Sequence, residues 1–296
     1  MKKTIALISG VAAAITLFLP GEAHAWGAGI HVAQGSFILD NLRLTGPAVA
    51  AILQSHPFDY IYGCISADIF IGKGYKRRDD HCHNWSVGFN VLDGASDEAT
   101  KAYAYGYLTH LTADIIAHNY FIPNLLYATP ATRGLGHLFW EFRADRFIRK
   151  KHWTLASEVI SMHNKTNDDL IKRVMKRSRL RFGAKKMVFK RAVKLNDVML
   201  YKEYVEKSHN SARLITRKDV ALLNNYALNL IIEMLLHGKK SLCMNYDPVG
   251  TDHTIYAKRR RKLDGLSPGI FIGDSLFTVP EEIINVRHID QEAVRL

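Results

Sequence analysis

Three residues in one short stretch constrain this chain most. His110, Asp114 and His118 recur at intervals of four inside Ser96 to His118, a segment whose apolar residues follow helical spacing. Four residues rotate a helix about 40° past a full turn, so the three side chains leave from nearly one face. The neighbouring Tyr107, Leu111 and Ile115 would pack against other helices. With 14 His and 28 acids in 296 residues, a His-x3-acid-x3-His match is expected by chance in roughly 0.06 chains of this composition. A fold for this sequence must therefore hold a packed helix with two imidazoles and a carboxylate on one side. Asp97 and Glu98 fall in its first turn, where negative charge suits the positive end of the helix dipole, and Pro123 is expected to follow its end.

The same periodicity predicts further helices over Val32 to Leu42, Pro47 to Gln54, Gly136 to Lys150, Leu155 to Lys176, Lys185 to Lys207 and Arg217 to Leu236. Phe70 to Asp80 is rich in Gly and charge and reads as a loop. Few segments alternate at period two, so the expected fold is all-α, a multi-helix bundle. Ile270 to Thr278 reads as either a strand or an irregular tail. No repeat and no Pro- or Gly/Ser-rich linker divides the chain. The expected organisation is a leader over 1–25, a helical domain over 26–264 and a C-terminal extension over 265–296.

The leader reading rests on Lys2 and Lys3, the apolar run Thr4 to Leu19, and the small-x-small triplet Ala23-His24-Ala25. Cleavage there makes Trp26 the new N-terminus and places the protein outside the cytoplasm, periplasmic or secreted. No later stretch is expected to be a membrane span. The charge is +12 overall and would be +11 after cleavage. That excess favours anionic partners, lipid surface or nucleic acid, without choosing between them. The bases concentrate in Lys172 to Lys194 and in Lys258-Arg259-Arg260-Arg261-Lys262. Cys64, Cys82 and Cys243 exclude a dense disulfide framework but allow one bridge.

Other candidate donors are scattered. His137 and Glu141 are four apart on one expected helix, Asp68 precedes the Gly-rich loop, His81 and His83 follow it, and His31 lies near the expected mature start. Singly each has an ordinary reading as a turn former, a surface pair or a loop histidine. Together they form a nitrogen and oxygen ligand inventory of the kind zinc accepts, larger than one ion can hold, without the Cys-x2-Cys pairs of structural zinc sites.

In the order Ala25-Trp26-Gly27-Ala28-Gly29-Ile30-His31, Cys64-Ile65-Ser66-Ala67-Asp68, His83-Asn84-Trp85, His110 to His118, and His137-Leu138-Phe139-Trp140-Glu141, the sequence resembles the bacterial zinc-dependent phospholipase C family. It resembles more distantly the fungal single-strand-specific nucleases that share its fold. The resemblance covers about Trp26 to Lys150. It implies the helical zinc phospholipase/nuclease fold and about three zinc ions. Trp26, through its α-amine and carbonyl, His31 and Asp114 would hold one ion. Asp114, Asp68, His83 and His110 would hold the second, and His118, His137 and Glu141 the third. His81 competes with His83 for its place. The Trp26–His31 spacing is that of the nucleases, the His-x3-Glu pair is that of the phospholipases, and Asp114 to His118 is two residues shorter than is common in both branches.

The expected activity is zinc-dependent phosphodiester hydrolysis, with glycerophospholipid as substrate and Asp68 and Asp114 as catalytic residues, Asp68 also as candidate general base. Single-stranded nucleic acid is the alternative substrate, and a non-catalytic exported metal-binding protein is a third reading. An α-amine must lose its proton to bind metal, and in the uncleaved precursor it is an amide. The precursor is therefore expected to lack one ion.

Overall fold

The computed structural model describes residues 26–70, 81–128, 136–162, 164–176, 179–196, 215–265 and 275–290, with no strand among them. The helices are α1 (Ala28–Asp40), α2 (Pro47–Ser55), α3 (Pro57–Ser66), α4 (Trp85–Asp93), α5 (Glu98–Ile116), α6 (Ile122–Ala128), α7 (Gly136–Asp145), α8 (Lys150–Ser161), α9 (Lys165–Val174), α10 (Arg179–Asn196), α11 (Arg217–His237), α12 (Thr251–Leu263) and the short α13 (Glu281–Ile284). The all-α expectation holds. The expected leader, residues 71–80 of the expected loop, 197–207 of the expected Lys185 to Lys207 helix and 270–274 of the ambiguous tail lie outside the described residues.

Helix α5 is the axis of the fold. It packs against α3, α4 and α11, and nearly every side chain from Thr100 to Ile116 is buried. Its start is fixed by a capping box: the Asp97 side chain accepts from Thr100 N, and Thr100 Oγ1 accepts from Asp97 N. Burial all round explains why the helix shows no single apolar stripe.

Two glycines set how close α3 and α5 come. A Cβ on Gly63 would lie 2.1 Å from Tyr103 O, and one on Gly106 would lie 2.0 Å from Tyr60 O. The backbones touch, and no other residue type fits at either position. Asp68 follows Gly63 by five residues and His110 follows Gly106 by four, so this crossing delivers both to one place.

The end of α5 departs from expectation. The chain does not leave the helix before Pro123. Ala117 to Phe121 forms a π-helical turn and α6 continues to Ala128; Pro123 follows the π-turn directly, and Asn119 O, four residues before it, lies 2.7 Å from His253 Nδ1. The expected Leu155 to Lys176 helix is broken around Met162 to Asn164, where Asn164 Nδ2 donates to Val159 O at 2.7 Å and closes α8. Helices α3, α4 and α12 were not foreseen as separate elements. In α3 and α4, short and largely buried, few polar residues mark a period.

Elsewhere, Tyr62 donates to Asp168 Oδ1 at 2.5 Å and Lys186 to Asp168 Oδ2 at 2.7 Å, tying α3, α9 and α10. Residues 275–290 lie against the helical body. Asn124 and Phe277 exchange hydrogen bonds at 2.8 and 2.9 Å, and Asn229 Oδ1 accepts from His288 N and Ile289 N. Helix α11 is long and apolar enough to cross a membrane, contrary to the expectation that no later stretch would be, but 67% of its apolar window is buried inside the fold. The three cysteines are buried and unbridged.

Candidate metal centre

Five chain segments meet around Asp114. Helix α5 supplies His110 and Asp114, and the π-turn after it supplies His118. The turn after α3 supplies Asp68, the turn before α4 supplies His83, and the first turn of α1 supplies His31. All six are buried to 3% exposure or less.

Asp114 Oδ2 is 3.1 Å from His110 Nε2, 3.2 Å from His83 Nε2 and 4.0 Å from His118 Nδ1, while Oδ1 is 3.4 Å from His31 Nε2. Asp68 Oδ1 is 3.5 Å from His83 Nε2 and 3.7 Å from His110 Nε2. The His83 and His110 Nε2 atoms are 3.0 Å apart, and the His31 and His110 rings stack at 4.0 Å. Donor atoms of two overlapping sets, His31–Asp68–His110 and His83–His110–Asp114, lie within 4.8 Å of one another. Each set is compact enough to hold a metal ion.

Three of the four rings have a neighbour at Nδ1, whereas neither nitrogen of His31 has a hydrogen bond. His110 Nδ1 donates to Cys64 O at 2.9 Å, His118 Nδ1 donates to Pro248 O, and His83 Nδ1 is 3.3 Å from Cys82 Sγ. A proton held at Nδ1 by a carbonyl leaves Nε2 as the lone-pair nitrogen, the arrangement that orients an imidazole for a cation. His83, not His81, faces the acids. His81 Nδ1 instead accepts from His83 N at 3.1 Å.

Trp26 is fully buried beside this group. Its indole donates at 3.2 Å to the carbonyl of Ala113, the residue before Asp114, and stacks on Phe121 at 4.8 Å. Glu141 is buried on α7. The side chain of His137, also on α7, lies outside the described residues, so of the His118, His137 and Glu141 set the structure places two members.

The buried acids and imidazoles shift one another: burial would lower His83 and His110, but Cys82, Asp114 and Asp68 raise the first well above its ordinary value, and Asp114 and Asp68 raise the second. Burial alone would raise the Asp114 carboxyl, but His110 and His118 overturn this and hold it well below the usual range. Burial, then the charges of Asp68 and Asp114, push Glu141 well up. Burial and then His110 lower His31, and burial lowers His118 to about 4 against the pull of Asp114. Both Asp114 oxygens, both His31 nitrogens and Glu141 Oε1 are buried without a hydrogen bond. Unsatisfied lone pairs are costly inside a protein, and several aimed at a common point are what a divalent ion answers. The donors fit zinc: nitrogen and carboxylate oxygen, buried, with tautomers set.

One acid was missed. Asp145, four residues past Glu141, is buried, and burial raises its carboxyl to about 8. Its Oδ1 accepts from Ile30 N at 3.1 Å, and its Oδ2 lies where a Cβ on Gly27 would sit, 1.7 Å away. Asp145 thus caps the first turn of α1 and presses against the chain between Trp26 and His31. Its spacing from Glu141 was the available signal, since both fall on one face of α7.

Residues 30–196 match the family model described as zinc dependent phospholipase C, a span that contains every candidate donor except Trp26. No curated protein and no solved structure matches the chain.

Proposed function

The chain belongs to the zinc-dependent phospholipase C family, and from that premise we propose that it is a hydrolase cleaving glycerophospholipids to diacylglycerol and a phosphorylated headgroup. The observation that carries the reading is the convergence of four histidines and two aspartates, from five segments, on a buried point around Asp114.

We assign Asp114 as the carboxylate that would serve two ions, with His31 and the backbone of Trp26 holding one side and Asp68, His83 and His110 the other; His118, Glu141 and His137 would hold a third. When bound, zinc neutralises charge on a phosphate and acidifies water at neutral pH. The protein's part is to hold these donors dry and pre-oriented. The Cys64 and Pro248 carbonyls fix the His110 and His118 tautomers, and the α3–α5 crossing fixes Asp68 against His110. Asp68, with lone pairs toward His83 and His110, is placed to orient an attacking water and take its proton. The leader-like residues 1–25 support export, with release of Trp26 as the mature N-terminus.

Purified protein supplied with zinc, assayed on phosphatidylcholine vesicles and on single-stranded DNA with and without chelator, tests the reading. Chelator-sensitive release of phosphocholine is expected. Nucleotide release instead would support the nuclease reading, which the Trp26–His31 spacing favours, and release of neither would leave only metal binding.

A further inference from the structure

A lipid-hydrolysing enzyme must meet its substrate at a surface, and one helix of this chain is built for such a meeting. Helix α12 buries Thr254, Ala257 and Arg261 against the body, with Arg261 Nη1 donating to Tyr127 O at 2.5 Å. Its other side carries Ile255, Tyr256 and Leu263 at 38%, 51% and 80% exposure, together with exposed Lys258, Arg259, Arg260 and Lys262. At 100° per residue, Ile255, Arg259 and Leu263 follow one another along the middle of the outward face. Lys258 and Lys262 flank them on one side, Tyr256 and Arg260 on the other. The outward face thus mixes exposed apolar side chains with bases, Arg259 lying between Ile255 and Leu263 and the exposed Asp252 preceding Ile255 on the same face, a basic surface from which large apolar side chains project.

We propose that α12 is the surface through which this protein docks on a bilayer carrying anionic phospholipid. The proposal deepens the phospholipase reading and rests on it for the choice of lipid over other polyanions. Two observations support that choice. Nucleic acid would use the cations, but it gives no reason for Ile255 and Leu263 to face outward. Both basic segments have a cation paired within the fold, Lys186 with Asp168 and Arg260 with Asp264, but among the described residues three exposed large apolar side chains accompany the bases of α12 and one, Met187, those of α10. The position of α12 also suits the role. Pro248, just before it, accepts the His118 Nδ1–H bond, Gly250 at its start abuts the His118 backbone, and His253 Nδ1 lies 2.7 Å from Asn119 O. The start of α12 is thus tied to the chain that carries His118.

The test is co-sedimentation with vesicles of phosphatidylcholine and phosphatidylserine, alongside hydrolysis of dispersed short-chain phosphatidylcholine. The double variant Ile255→Glu/Leu263→Glu is expected to lose at least about tenfold in vesicle partitioning. Arg259→Glu is expected to lose about fivefold, the loss shrinking in high salt. Zinc content and the rate on dispersed lipid should match wild type in all variants. The proposal is overturned if the double variant sediments like wild type, or if wild type binds a single-stranded oligonucleotide and not the vesicles. Wild type that sediments through α12 yet releases no headgroup from either lipid form would sink the phospholipase reading and leave the docking surface standing.

Discussion

His110 is common to the two compact donor sets, and Asp114 reaches toward both, one carboxylate oxygen toward His31 and the other toward His83 and His110. Asp114→Asn keeps the size and removes the charge. We expect the variant to fold, to retain less zinc by metal analysis, and to lose on the order of 100-fold in hydrolysis rate. Full zinc and full activity would refute the shared-carboxylate assignment. A second residue-scale prediction concerns pH, away from the centre. Burial, then Lys151 and Arg149, lower the His152 ring to about 4. The unfolded ring takes its proton near 6.5 and the folded one only near 4, so stability falls as pH drops through that window and stops falling below it. The loss should be on the order of 1 kcal/mol after solvent screening. Melting temperatures across the window should therefore decline less in His152→Gln than in wild type. Equal declines would remove the His152 explanation.

At the scale of elements, the centre depends on glycines more than on its ligands' immediate neighbours. Gly106→Ala would force a methyl group onto Tyr60 O and drive α3 from α5. We expect destabilisation of roughly 2–3 kcal/mol, with zinc affinity falling in parallel because Asp68 and His110 separate. Urea unfolding with metal analysis would show both, and an unchanged midpoint would contradict the close-crossing account. The sequence was readable here where polar residues broke an apolar period. His110, Asp114 and His118 stood out because their spacing puts them on one helical face, and the structure brings them together with His118 on the π-turn that continues α5. The π-turn was not readable, because no residue type signals an i→i+5 step. It is why Pro123 did not stop the helix as its chemistry predicts. Asp145 was overlooked because its partners are backbone amides of α1, over a hundred residues away. Its four-residue spacing from Glu141 marks a shared helix face but says nothing of that long-range capping.

For the whole molecule, the buried lone pairs around Asp114 make the folded chain a zinc ligand and the unfolded chain a poor one. Chelator should therefore lower the melting temperature, and added zinc should restore it in a concentration-dependent way. A melting temperature indifferent to chelator would mean that the cluster holds no structural cation. The all-α architecture was legible from periodicity, because strands and helices differ in period and this chain shows little of the former. The role of the C-terminal part was less legible. The first half carries the recognisable donors, yet Pro248 and Gly250 close over His118 from the second half.

The contact of bare backbones at Gly63 and Gly106 has one more consequence. Two surfaces without side chains have nothing to readjust, so the crossing either holds or is gone. Heating should then show no stage in which the rods persist while the inorganic core loosens. The visible bands of a cobalt-substituted sample and its far-ultraviolet dichroism should disappear along a single curve.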